Sequence, residues 1–88
     1  MNKEWYDDMD LTSRKLVESY VKEHLDKSDP NPNIDVYIVW KSKIFQNWKY
    51  LLSTNLPDGM YYELTYDGDK EVWYLDAYKK FENRVIEI

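Results

Sequence analysis

The chain contains no cysteine, one histidine, two glycines and three prolines in 88 residues. Each scarcity removes a class of chemistry. Without cysteine there is no disulfide framework, no thiolate metal site and no cysteine nucleophile, a composition that suits a reducing cytoplasm. With Gly59 and Gly68 isolated in turn contexts, no glycine-rich loop can cradle a phosphate. No run approaches the roughly 18 apolar residues of a membrane span, and Met1-Asn2-Lys3-Glu4 opens without an apolar leader segment. His24 stands alone on a helical stretch with no partner motif around it, so a nucleophile–histidine device has nothing to build on. A histidine near a helix end more often complements the dipole or packs.

Acidic residues outnumber basic ones by 17 to 12, giving a net charge of -5, which repels phosphate backbones and disfavours duplex nucleic acid. The charge is dispersed rather than blocked. Asp67 with Asp69, and Asp26 with Asp29, are the acidic pairs closest to a cation site. Hairpin and helix-exit chemistry accounts for both, and no spacing matches a calcium loop, so neither a metal nor a cofactor is expected.

What the chain has in surplus is aromatic: nine Tyr, four Trp and two Phe. A disordered chain is poor in such residues. At this length one domain is expected, in which every large side chain counts toward a small core. Leu16, Val17, Tyr20, Val21 and Leu25 fall on one helical face, predicting a helix over about 11–26 with Asp10 or Thr12 as its cap and a Glu18–Lys22 surface pair. Two prolines end it. Ile34–Trp40 is β-branched and aromatic, with Ile34, Val36, Ile38 and Trp40 on one face. A turn at Gln46-Asn47, a strand over about 49–54, a Pro57-Asp58-Gly59 turn, a strand from Met60 to Tyr66, an Asp67-Gly68 hairpin and a strand from Glu71 to Tyr78 follow. Residues 79–88 read as further strand. The expected architecture is α+β: one N-terminal helix packed on an antiparallel meander of four to five strands, with residues 1–10 as an extension and 11–88 as the domain.

In the hairpin, Met60, Tyr62, Tyr66, Tyr74 and Tyr78 are expected to share a face with Trp40 or Tyr50 nearby, more aromatic surface than a single helix covers. Half-exposed sheet positions suit tyrosine without any function, because its hydroxyl stays wet. The functional reading is a protein-binding face anchored by Trp40, Tyr62, Tyr66, Tyr74 and Tyr78, with a homodimer as its simplest form. Two alternatives stand beside it. Aromatics could stack single-stranded bases while Lys79, Lys80 and Arg84 follow the backbone, or the acidic surface could occupy a basic groove on a nucleic-acid-binding or defence protein. None of these readings is enzymatic.

Val39-Trp40, Leu51-Leu52-Ser53-Thr54, Asp58-Gly59-Met60-Tyr61-Tyr62-Glu63, Thr65-Tyr66-Asp67-Gly68-Asp69-Lys70 and Asp76-Ala77-Tyr78-Lys79-Lys80 resemble a family of small proteins of phages and prophages of low-GC Gram-positive bacteria, to which no activity is assigned. The likeness runs from the helix to the end of the chain and leaves out about the first ten residues. It implies an accessory protein in the cytoplasm of a bacterial host, acting on a host or phage protein, with no catalytic residues to carry across.

Overall fold

A computed structural model describes residues 8–24 and 33–88. One helix, α1 (Met9–His24), packs on a four-stranded antiparallel sheet of β1 (Val36–Ile44), β2 (Asn47–Thr54), β3 (Met60–Asp67) and β4 (Val72–Lys79) in the order β1-β2-β3-β4. The expected meander is present with four strands. Short loops between consecutive strands leave antiparallel neighbours as the only reachable partners, so chain order becomes sheet order.

The helix starts two residues earlier than the apolar stripe suggests. Asp8 is its N-cap, its carboxylate accepting the Leu11 N–H at 3.0 Å. Asp10, expected as a cap, faces the sheet instead: it accepts from Lys41 Nζ and the Tyr50 hydroxyl, each at 2.7 Å. Thr12, the other expected cap, is buried and donates to the Asp8 carbonyl. The Glu18–Lys22 pair forms at 2.8 Å. Val17 and Val21 meet Tyr50, Leu52, Tyr62 and Leu64 in the core, with Leu16 and Tyr20 packed at its margin. Leu25, Asp26 and Asp29, given roles above, lie outside the described residues.

Two hairpins depart from expectation in informative ways. The β1–β2 turn is Phe45-Gln46 rather than Gln46-Asn47, and Phe45 holds a φ of 56°, a conformation that costs an L-residue about 1–2 kcal/mol. In the β3–β4 connection the left-handed residue is Glu71, φ 54°, not Asp67 or Gly68. Asp67 shapes the loop by side chain: its Oδ1 accepts the N–H of Asp69 and of Lys70. Gly68 is needed for proximity. A Cβ there would land on the Gln46 carbonyl oxygen, because the two hairpin tips touch, Gln46 Nε2 donating to Asp69 and the Gly68 N–H to Asn47 Oδ1. Gly68→Ala is therefore expected to lower stability by about 1–3 kcal/mol, measured by urea unfolding.

Residues 80–88 carry no strand, contrary to the sequence reading, and all are exposed. Lys80 still bonds β3, its N–H donating to the Gly59 carbonyl at 2.7 Å. Beyond it no strand among the described residues lies alongside to pair with, which is why strand propensity there goes unused.

The Asp10–Lys41–Tyr50 cluster ties helix to sheet and sets a pH dependence. Lys41, then Tyr50, hold the Asp10 carboxyl below its usual value, while burial, then the Asp10 hydrogen bond, push the Tyr50 phenol up. A lowered acid stabilises the fold above its unfolded value of 3.8 and loses that contribution as pH falls through the folded one. A raised phenol acts oppositely: its contribution is complete below 10.0 and is lost as pH rises toward the folded value. Thermal melts across alkaline pH are expected to show a decline above 10.0 that Tyr50→Phe reduces, the remainder coming from the buried Tyr62 phenol.

Candidate functional site: the helix-free face of the sheet

Alternation along the strands divides the side chains cleanly. On the helix side lie the rows Lys43–Trp48–Tyr66–Trp73, Lys41–Tyr50–Leu64–Leu75 and Ile38–Leu52–Tyr62–Ala77. Opposite, Tyr37, Ser53, Tyr61 and Tyr78 form one row, Trp40, Leu51, Glu63 and Asp76 a second, and Ser42, Lys49, Thr65 and Tyr74 a third. Among the described residues nothing covers this second face.

The five expected anchors therefore do not share one face. Tyr62 is core, 3% exposed, with its ring edge-on to Tyr20 at 5.8 Å between centroids. Burial first, then Asp58 and Tyr20, raises its phenol. Tyr66 also faces the helix side and packs on Trp73 at 5.0 Å. Trp73 lies 6.0 Å from Tyr50, which stacks on Trp48 at 5.9 Å, so four rings close the end of the core. Trp40, Tyr74 and Tyr78, at 44%, 49% and 53% exposure, do share the helix-free face, Trp40 on the edge strand β1 and the two tyrosines on the opposite edge strand β4.

The physical reasons are register and a bulge. An even-length loop makes the partner numbers across a hairpin sum to an odd value, so Tyr62 opposes Ala77 and Thr65 opposes Tyr74. Even-numbered residues of β3 and β4 cannot then share a face. Trp40 changes sides because the β1–β2 register shifts between Ile38 and Trp40. The same shift turns Lys41 toward Asp10. Sequence reasoning missed Tyr37 (50% exposed) and Ile44 (65% exposed) as members of this surface; Ile44 shares Trp40's side by simple alternation, whereas Tyr37 joins it only through the bulge.

Near the β1–β2 tip the face sinks into an open depression of about 440 Å³, lined by Trp40, Ser42, Ile44, Asn47, Lys49 and Thr65 among others. Lys49 is the charged group in that lining and lies 3.4 Å from the Glu63 carboxylate. Along the strands this face carries Glu63, Asp67 and Asp76 against one ammonium, which disfavours a phosphate backbone lying across it. Lys79, Lys80 and Arg84, the expected backbone-tracking cations, are exposed at the far end of β4, and Arg84 pairs with Glu82 at 2.8 Å. They do not frame the aromatic rows.

His24 is engaged within its own helix. His24 stacks on Tyr20 at 4.2 Å between centroids, and its Nδ1 lies 2.8 Å from the Tyr20 carbonyl, which can only accept, so that nitrogen carries a proton. No group of three potential ligands converges among the described residues. Likewise no described helix is long and apolar enough to cross a membrane.

Neither a curated protein nor a solved structure matches the chain. A family model does, over residues 10–88, a span that begins at the Asp10 anchor and takes in the helix and all four strands. The chain thus belongs to the family of unknown function DUF6275.

Proposed function

We propose that this is a binding protein without catalytic activity, which engages a protein partner through the helix-free face of its sheet. The observation that carries this reading is the exposure of Tyr37, Trp40, Tyr74 and Tyr78 at 44–53% on one uncovered surface, beside Ile44 at 65%. Tyrosine and tryptophan supply large contact area with few rotamers to freeze, which is why they dominate interface hot spots. The depression beside Trp40 offers a seat for an apolar side chain of the partner. In the setting implied by the family resemblance, the chain is a phage or prophage accessory protein and the partner a host or phage protein in the bacterial cytoplasm.

Affinity capture from host cells tests this reading. The wild-type chain is expected to retain a specific partner that the Trp40→Ala/Tyr74→Ala variant loses at equal folded concentration. Equal retention by both chains removes the helix-free face as the site.

A further inference from the structure

The two edges of the sheet are not alike. At the β1 edge the strand is bulged between Ile38 and Trp40 and carries Lys41 and Lys43 mid-strand, the usual devices against edge-to-edge pairing. β4 has no bulge and no lysine before its last residue, Lys79, and its one mid-strand charge is Asp76. Its register against β3 runs unbroken from Val72 to Lys79, without proline, and its outer edge is unpaired among the described residues. Directly after it comes an eight-residue segment, 81–88, in which Phe81, Val85, Ile86 and Ile88 are 77% exposed or more.

We infer that β4 and residues 81–88 form a reciprocal strand exchange between two copies of this chain, with 81–88 of each copy paired antiparallel along the β4 edge of the other about a two-fold axis at Lys80. This rests on the β4 edge rather than on the helix-free face, so it stands or falls separately from the partner proposed above. The pairing is specified by number. In a regular antiparallel pair, opposed residues lie on the same side of the pleat. Two-fold symmetry within one continuous strand therefore requires the opposed residue numbers to add to a constant even sum.

Centring on Lys80 sets 81–88 of one copy against Val72–Lys79 of the other. Arg84 then opposes Asp76, Val85 opposes Leu75, Ile86 opposes Tyr74 and Ile88 opposes Val72: one opposite-charge pair and three apolar pairs. On the axis Lys80 meets Lys80 of the second copy, and the neighbouring allowed registers give up the Arg84–Asp76 pair. A shift by two in one direction sets Glu82 against Asp76, and in the other it sets Ile86 against Asp76.

Backbone direction agrees. The Lys80 N–H points at β3, donating to Gly59, so by alternation the peptide groups of Trp73, Leu75, Ala77 and Lys79 face the free edge. They meet Glu87, Val85, Asn83 and Phe81 of the second copy, which share that parity. The side chains find room too. A groove of about 280 Å³ between the helix and β4, lined by Leu16, Tyr20, Leu64, Trp73 and Leu75, lies on the side where Val85 is delivered next to Leu75. Pairing with the chain's own β4 needs a tight reversal at Lys79-Lys80-Phe81, which has no glycine, proline, asparagine or aspartate to make it.

Native mass spectrometry and sedimentation of the full chain decide the matter. The expected species is a dimer, twice the 10.8 kDa chain mass. Arg84→Asp and Asp76→Arg are each expected to raise the dimer dissociation constant about tenfold, because two symmetric pairs become like-charged. The double variant Asp76→Arg/Arg84→Asp is expected to restore it. Amide exchange supplies a readout that needs no variant: Trp73, Leu75, Ala77 and Lys79 are protected in the dimer and exchange fast when the full chain is diluted to monomer. A monomer at all concentrations, a dimer indifferent to either single change, a failed restoration, or fast exchange at those four amides in the intact dimer overturns the inference.

Discussion

Tyr50→Ala is expected to remove a large part of the stability of the fold at room temperature. The side chain is fully buried between Lys41 and Leu64 in its cross-strand row, stacks on Trp48, and donates its hydroxyl to Asp10. Removing a buried aromatic ring costs about 3–5 kcal/mol, against a total stability of roughly 5–15 kcal/mol for a domain, with small ones at the lower end. The loss spreads beyond the cavity, since Asp10 keeps Lys41 but forfeits its second partner. Tyr50→Phe separates the two effects: it retains the ring and is expected to cost about 1.5–3 kcal/mol, the worth of one hydrogen bond to a charged acceptor. Urea unfolding of the pair measures both numbers, and near-equal destabilisation contradicts the placement of Tyr50 at the centre of the core.

Trp40→Ala/Tyr74→Ala is expected to weaken partner binding by two orders of magnitude or more while leaving the fold intact, since hot-spot aromatics contribute about 2 kcal/mol or more each. Both rings are close to half exposed and sit on a face with no second layer, so little packing is lost in the free chain. Tyr62→Ala is the contrasting variant. Its ring is buried against Tyr20 under the helix, so stability falls by about 3–5 kcal/mol and any binding loss follows unfolding. Melting temperature and affinity, read together, distinguish the two surfaces: one pair of substitutions moves affinity alone, the other moves stability first.

Local pattern made much of this architecture legible before any coordinates. The stripe from Leu16 to Val21 is helical and does point two valines into the core, and the alternation from Met60 to Tyr66 does put Tyr62 and Leu64 on one side. What local pattern cannot supply is the relation between strands. The face shared by Tyr62 and Ala77 depends on the loop between Asp67 and Val72 having an even length, and that loop closes on Glu71 at positive φ, a residue that carries no turn signal. Trp40 belongs to the helix-free surface only because of a one-residue bulge, for which the run from Ile34 to Trp40 gives no mark. Asp10 looked like a cap because caps are local, whereas its partners Lys41 and Tyr50 are 31 and 40 residues away. The unused strand propensity after Lys80 has the same origin: pairing needs a neighbour, and a sequence does not say whether that neighbour belongs to the same copy.

Which face meets the partner is tested most directly by site-specific photo-crosslinking. A photo-reactive phenylalanine analogue replaces Tyr74 on the helix-free face in one chain and Ser19, exposed on the helix, in another. Both chains are then irradiated with the captured partner. The account predicts a crosslinked partner from position 74 and none from position 19. Crosslinking from position 19 with none from position 74 would contradict it.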